Sequence, residues 1–445
     1  MASIIPIDER RLHIKELQNA KNFEELMNFW GHEIEEHAIK THDNYILGAQ
    51  RISNDKKLSN DNSFQRINGD DDLTSNESSI EDIFKQFNVP LSNVTYNEQD
   101  DDILPATTTK SSPISSDNST KGHVKPVVLL WHGLMTCSEI WVCNTEYENR
   151  LACLLADAGY DVWFGNSRGN KYSMKHVKYP NDNNFWNYSM DELIYYDLPD
   201  TINYILKVTG AKSLTYIGFS QGSALCFATL SLLPDINKKI NLFIALAPAT
   251  NPKDLQNFLL NSLVKLSPNI IYLLFGKKSI LSMVMFWQKV LPTSIFIKII
   301  DIALKLLFGW DCENISELQK SIGYFHLFSC ASVKSLVHWL QIIHHGKFRK
   351  FEDPFTVTSL SSIDQDFPLN QISTPLALFY GGRDNLINIE FLMNKLNNNQ
   401  QGKDSVIVSV NKIENYEHLD FLWAKDVNQI FPEIFNLLKK YNSPV

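Results

Sequence analysis

Apolar positions along this chain fall into two alternating kinds of run. Short, nearly unbroken apolar runs occur at Val127–Trp131, Asp161–Phe164, Ser213–Gly218, Leu242–Pro248, Leu376–Tyr380 and Val406–Val410. Their length and their Val, Ile, Leu and aromatic content predict strands buried on both faces. Between them, Asn149–Ala158, Asp191–Lys207, Gln221–Leu232 and Val427–Lys440 carry apolar residues at helical spacing. Strands alternating with helices specify an α/β fold with a mostly parallel, doubly wound sheet, whose site lies beyond the carboxyl ends of the strands. Ahead of this pattern, Asn22–Trp30 predicts a short helix with acidic residues in its first turn. Ile34–Ile52 predicts a strand pair turning at His42-Asp43-Asn44.

Two segments break the alternation. From 54 to about 121 the chain is rich in Ser, Asn, Asp and Thr, without periodicity, and includes Asp100-Asp101-Asp102. It reads as a mostly disordered surface insertion. The second break, between Pro248 and Leu376, is far longer than the single helix a minimal fold needs there, and is the place for a helical cap. The division is therefore 1–53 (helix and strand pair), 54–123 (acidic insertion), 124–250 (first core segment), 251–354 (apolar helical cap) and 355–445 (last core segment).

Charge sharpens this division. The 445 residues carry 41 basic and 50 acidic side chains, which argues against a nucleic-acid partner. Residues 54–120 hold 13 acidic and 5 basic groups, so most of the net charge of −9 sits in the insertion. Six cysteines show no spacing suited to zinc or redox work, and the N-terminus lacks the apolar core of a signal peptide, so free thiols in a reducing compartment are expected. No stretch approaches the ~18 apolar residues of a spanning helix.

The chemistry begins at Gly218-Phe219-Ser220-Gln221-Gly222, a G-x-S-x-G sequence between a predicted strand and a predicted helix. In that context it is a nucleophile elbow: the glycines permit a sharp turn that lifts the serine hydroxyl clear of the sheet, as in the α/β-hydrolase fold. A serine at neutral pH needs a base and an orienting carboxylate, which in this fold follow in the order Ser, Asp or Glu, His. Asp384, after the Leu376–Tyr380 strand, and His418, after Val406–Val410, fill those places. His418 is the only histidine after His345, while Glu390 and Asp420 rival Asp384, Asp420 less so because it lies so near His418 in sequence. The oxyanion formed on attack needs two backbone donors; the N–H groups of Gln221 and of Leu134, in the His132-Gly133-Leu134 loop, are assigned to it. His132 reads as structural. This chemistry requires no metal or cofactor.

Trp131-His132-Gly133-Leu134, Leu155–Trp163, Gly165–Asn170, the serine motif and Tyr416–Trp423 together resemble the acid lipase family, which includes gastric lipase, lysosomal acid lipase and the fungal steryl esterases of lipid droplets. The likeness runs from about Phe23 to the C-terminus, apart from the insertion. It implies a triad of Ser220, Asp384 and His418 with oxyanion donors at Leu134 and Gln221, the positions reached above from order and spacing. Phe219 stands where the animal members usually carry His, and Ser332–Trp339 also matches the intracellular fungal branch. Those fungal relatives typically begin with a hydrophobic anchoring segment that is not seen here.

The resemblance implies a serine hydrolase that cleaves long-chain fatty acyl esters of sterols. Triacylglycerol lipase activity, acyl transfer to an alcohol, and a catalytically silent lipid-droplet surface protein are the alternatives. Cap runs such as Ile270–Phe275 and Ile295–Ile297, interrupted by Lys265, Lys277, Lys278, Lys289, Lys298 and Lys305, suit docking on a phospholipid or droplet surface. The same runs would equally serve as cap packing and the lining of an acyl pocket. The expected place is intracellular, peripheral on droplet or membrane, or else cytoplasmic. Oligomeric state is not legible.

Overall fold

The computed structural model describes residues 14–53, 124–179, 183–252, 258–280, 287–288, 290–353, 365–397 and 405–442. The predicted acidic insertion lies outside these residues, as do parts of the predicted cap.

Eight strands form the main path of the sheet: β1 (Ile34–Lys40), β2 (Tyr45–Ile52), β3 (Val127–Trp131), β4 (Asp161–Gly165), β5 (Leu214–Phe219), β6 (Ile240–Leu246), β7 (Leu376–Gly381) and β8 (Ile407–Ile413). Their order is β1-β2-β4-β3-β5-β6-β7-β8, and Lys175–His176 adds a short pairing to β2. β1 and β2 run antiparallel to their neighbours, and every pairing from β4 to β8 is parallel. From β3 the chain winds first to β4 and then back to β5 on the other side. The crevice at β3 and β5 is thus a topological switch point, where such sheets place their ligands.

Alternate residues of each central strand enter two cores, one on each face. Val128, Leu130, Ile217 and Ile244 pack with Leu151 and Leu155 of α2 (Leu151–Asp157) and with Ile434 and Leu438 of the C-terminal helix (Phe431–Tyr441). Val127, Leu129, Tyr216 and Phe243 pack with Ile202 of α3 (Leu198–Thr209) and Leu225 of α4 (Gln221–Leu232). The helix α1 (Phe23–Phe29), just ahead of the strand pair, is capped by the Asn22 side chain, which accepts from the Glu25 N–H.

Element ends differ from expectation for local reasons. β6 stops at Leu246 rather than Pro248 because Ala247 takes φ +46° and Pro248 has no N–H to donate. The last helix starts at Phe431, after a 3₁₀ turn at Val427–Ile430, because Pro432 cannot donate to a preceding carbonyl.

The cap contains α5 (Phe258–Lys265), α6 (Pro268–Phe275), α7 (Thr293–Phe308), α8 (Glu317–Leu327) and α9 (Val333–His345). Ile271 of α6 and Val333, Val337 and Leu340 of α9 make a small core of their own. Phe296, Ile300 and Leu304 of α7 and Ile322 and Tyr324 of α8 instead join the main core. Trp339 and Ile342 of α9 enter the core on the other face of the sheet, so the cap is continuous with the body of the protein on both faces.

A buried ionic cluster ties α8 down. Glu139, in the turn after the β3 loop, meets the Lys171 ammonium, accepts from the Tyr172 hydroxyl, and pairs with His326 of α8 at 2.9 Å. Burial opposes ionisation of Glu139, yet the Lys171 charge and the His326 hydrogen bond prevail and hold its carboxyl down at about 2. Removing one partner of such a buried cluster typically costs ~3–5 kcal/mol, because the others stay buried and uncompensated. Glu139→Ala is expected to lower stability by an amount in that range in a urea titration near neutral pH; a change within error would show the cluster to be energetically idle.

Candidate active site

Strand register builds the site. Trp131 at the end of β3 lies level with Gly165 of β4 and Gly218 of β5, so three loops leave the sheet side by side. These are His132-Gly133-Leu134, Asn166–Asn170 and the turn at Ser220.

Ser220 adopts φ +54° and ψ −117°, a conformation L-residues avoid. The turn is held because its N–H donates to the Leu246 carbonyl (3.0 Å) and its own carbonyl accepts from Ser223 and Ala224. A Cβ on Gly222 would sit 2.6 Å from the Trp131 carbonyl oxygen, and one on Gly218 would sit 2.8 Å from the Ser223 nitrogen. Glycine is needed at both positions for the helix to start directly against β3.

The structure brings Ser220, His418 and Asp384 together. Ser220 Oγ lies 2.7 Å from His418 Nε2, and His418 Nδ1 lies 2.7 Å from Asp384 Oδ2. A carboxylate only accepts, so the imidazole carries its proton on Nδ1 and Nε2 is left to accept the serine proton. Asp384 has no exposed side-chain surface, and its other oxygen accepts from the Leu386 N–H (3.0 Å). The His418 ring is flanked by Phe219 (5.1 Å between ring centroids) and by Trp310 (5.0 Å, planes 8° apart).

The rivals to Asp384 are placed elsewhere. Asp420 accepts from the Asn314 amide and from the Glu417 N–H, bracing the turn that carries His418, and burial pushes its carboxyl up to about 6. Glu390 is exposed on α10 (Ile389–Asn397).

Leu134 and Gln221 line one cavity with His132, Ser167, Asn170 and Tyr188. The loop bearing Leu134 is clamped by His132, the residue read as structural. Its Nδ1–H donates to the Gly133 carbonyl (2.7 Å), while Nε2 accepts from the Ser167 N–H (3.0 Å) and lies 3.1 Å from the Asn170 amide. Arg168 braces the neighbouring loop through Asp197 and Asp43, wholly buried. The Gly165–Asn170 stretch is thus a brace for the loop carrying Leu134.

Two contacts were not legible in the sequence. Trp339 of α9 donates its indole N–H to the Gln221 side-chain oxygen at 2.6 Å, which anchors the residue after the serine. Glu417 accepts the N–H groups of Asp311 and Cys312 (3.1 and 2.8 Å), binding the chain after α7 to the His418 turn. Trp339 belonged to a stretch noted only for resemblance, and nothing near Glu417 in sequence names its partners.

Comparison with known proteins agrees with this architecture. The family described as the α/β hydrolase fold matches residues 126–425, and the partial α/β-hydrolase lipase region matches residues 23–79, running into the segment set aside as an insertion. A Schizosaccharomyces pombe protein named "Probable lipase" is 38% identical over 432 residues, which cover 96% of this chain and 82% of that one. Human gastric triacylglycerol lipase is 30% identical over 439 residues, covering 96% and 92%. The solved soluble variant of monoglyceride lipase from Saccharomyces cerevisiae shares 15% identity at a TM-score of 0.46, covering 72% of this chain and 89% of that one.

Burial lowers the His132 pKa to about 4, although the hydrogen bond to Gly133 favours the charged ring. The unfolded chain therefore binds a proton at His132 that the folded chain refuses. The resulting stability is complete above an unfolded value of about 6.5 and is lost as pH falls from there towards about 4. Across that window the loss reaches ~3 kcal/mol. Urea unfolding of wild type and His132→Gln at pH 7 and pH 4.5 tests this. The wild type is expected to lose more stability than the variant, and parallel losses would remove His132 from the acid response.

Proposed function

We propose, from a chain that belongs to the lipases of the α/β-hydrolase fold and is a carboxylic ester hydrolase, that Ser220, His418 and Asp384 cleave long-chain acyl esters of sterols through an acyl-enzyme. The observation that carries this reading is the buried, hydrogen-bonded run from Ser220 Oγ through His418 to Asp384.

In the proposed reaction Ser220 Oγ bonds to the ester carbonyl carbon as its proton passes to His418 Nε2, and the carbonyl π pair moves onto oxygen. The Leu134 and Gln221 N–H groups receive that oxyanion. Collapse breaks the bond to the alcohol, which takes the proton from His418. Water then repeats the sequence on the acyl-enzyme and frees the fatty acid. Asp384 holds the imidazole in the tautomer that can accept the first proton.

A greasy substrate is supported by the cap. Ile295, Ile299, Ile302 and Leu306 form one exposed stripe along α7, and Leu273, Leu274 and Phe275 are exposed at the end of α6. Lys277, Lys278 and Lys298 lie exposed near these residues in the chain. This arrangement suits peripheral docking on an anionic phospholipid or droplet surface inside the cell. Among the described residues no helix is long and apolar enough to cross a membrane. Steryl esters are favoured by the likeness to the fungal branch; triacylglycerol is the second reading, favoured by the gastric triacylglycerol lipases among the relatives.

Hydrolysis of emulsified cholesteryl oleate and triolein by wild type and Ser220→Ala separates these readings. Wild type is expected to cleave the steryl ester faster, and the variant to lose at least ~10³-fold on both. Faster triolein cleavage would move the assignment to triacylglycerol. A variant as active as wild type would overturn Ser220 as nucleophile. Ile299→Asp with Ile302→Asp is expected to abolish sedimentation with phosphatidylserine-containing vesicles while a soluble short-chain ester is still cleaved. Unchanged sedimentation would exclude the α7 face as the docking surface.

A further inference from the structure

The histidine turn is overlaid by a strap of the cap that takes no part in the reaction as described. α7 ends at Gly309 (φ +73°), and the chain then crosses the His418 turn as Trp310, Asp311, Cys312 and Glu313 before α8 begins. Cys312 is held at φ +52°, a conformation that must be fixed from outside. Glu417, next to His418 and almost wholly buried, supplies that hold by accepting the Asp311 and Cys312 N–H groups, while its carboxylate also meets Arg383 at 3.4 Å. Asn314 completes the strap by donating to the Asn415 carbonyl and to Asp420.

The result of this fastening is the placement of one ring. Trp310 is 4% exposed, lies 5.0 Å from the His418 ring with the planes 8° apart, and is backed by Phe308 at 4.5 Å. Its indole N–H is buried with no hydrogen-bond partner among the described residues. A buried donor without a partner is unfavourable, and phenylalanine would fill much of the same space without it. Whatever keeps an indole here therefore acts through the ring face, which of all side chains attracts a cation most strongly.

We infer that Trp310 is a positioning residue for His418: held by the strap that Glu417 anchors, its ring face steadies the imidazolium formed when Ser220 gives up its proton. This rests on the esterase reading above. The ground-state imidazole is neutral and gains little from the stack, whereas the charged ring of the transition state gains more. Such an interaction raises kcat and leaves KM alone. Phe219, the other ring beside His418, is set at 49° to the imidazole, so the parallel stack is particular to Trp310.

Steady-state hydrolysis of p-nitrophenyl butyrate by wild type, Ser220→Ala, Trp310→Phe, Trp310→Leu and Glu417→Gln tests the inference. Trp310→Leu is expected to lose about 10-fold in kcat with KM held within about 2-fold, and Trp310→Phe to keep an intermediate rate. Affinity for a trifluoromethyl ketone, whose adduct with Ser220 leaves His418 protonated, should fall across the series in step with kcat. Glu417→Gln should lower kcat in the same direction with Trp310 intact. Equal rates in wild type and Trp310→Leu, equal damage from Phe and Leu, or a loss carried in KM would each overturn the assignment. Thermal midpoints show whether Trp310→Leu folds, and Trp310→Phe keeps the comparison decisive if it does not. A wild type no more active than Ser220→Ala would sink the esterase reading and this inference with it.

Discussion

Everything at the site hangs on the turn at Ser220. A left-handed residue between a buried strand and a buried helix is unfavourable by itself, and it persists only because its surroundings allow nothing else. β6 fixes it from one side through the Leu246 carbonyl, and the first turn of α4 fixes it from the other. The close approach of Gly222 to the Trp131 and His132 carbonyls locks α4 against β3, so neither strand can shift without moving the serine. The same contact sets Ser220 beside the loop that carries Leu134. The elbow and the loop proposed to hold the oxyanion thus form a single constraint.

Around that constraint the protein buries polar groups in quantity, and three of them have a clear mechanical reason. His132 is kept neutral so that one ring nitrogen can donate to its own loop while the other accepts from the next loop. Arg168 is enclosed because two carboxylates and the face of Tyr45 compensate its charge. Glu139 joins the turn after β3 to the cap helix α8. Fully paired, such groups hold loops more rigidly than apolar packing would, and loops must be rigid if two backbone N–H groups are to meet one developing charge.

What the sequence reveals about such a site depends on how far apart in the chain the cooperating groups lie. The elbow was legible because its requirements are local: two glycines, a serine, a strand before and a helix after. Asp384 and His418 were legible because parallel strands deliver their loops to one edge, so strand order fixes who can meet. The six strands from β3 to β8 were all found, with errors only at ends such as Ala247, where a backbone angle decides. Trp339 and Glu417 were not found. Their partners lie 118 and 105 residues away, across the cap, and no local pattern in an apolar helical segment says which tryptophan turns its N–H inward. The acidic insertion had a compositional signal only.

The cap repeats this division in three dimensions. α6 and α9 share a small core, and α9 also enters the core on one face of the sheet through Trp339 and Ile342, whereas α7 and α8 pack into the core on the other face. A cap built this way is tied to the body on both faces of the sheet, and neither half moves without opening a core. The strap over His418 grows from the second half. The exposed stripe of α7 is on that same helix, with Phe296, Ile300 and Leu304 fixing its opposite side. A surface that engages the stripe would therefore meet an element already rigid with respect to the histidine turn. Docking through that stripe, as proposed above, would leave the alignment of Ser220, His418 and Asp384 undisturbed.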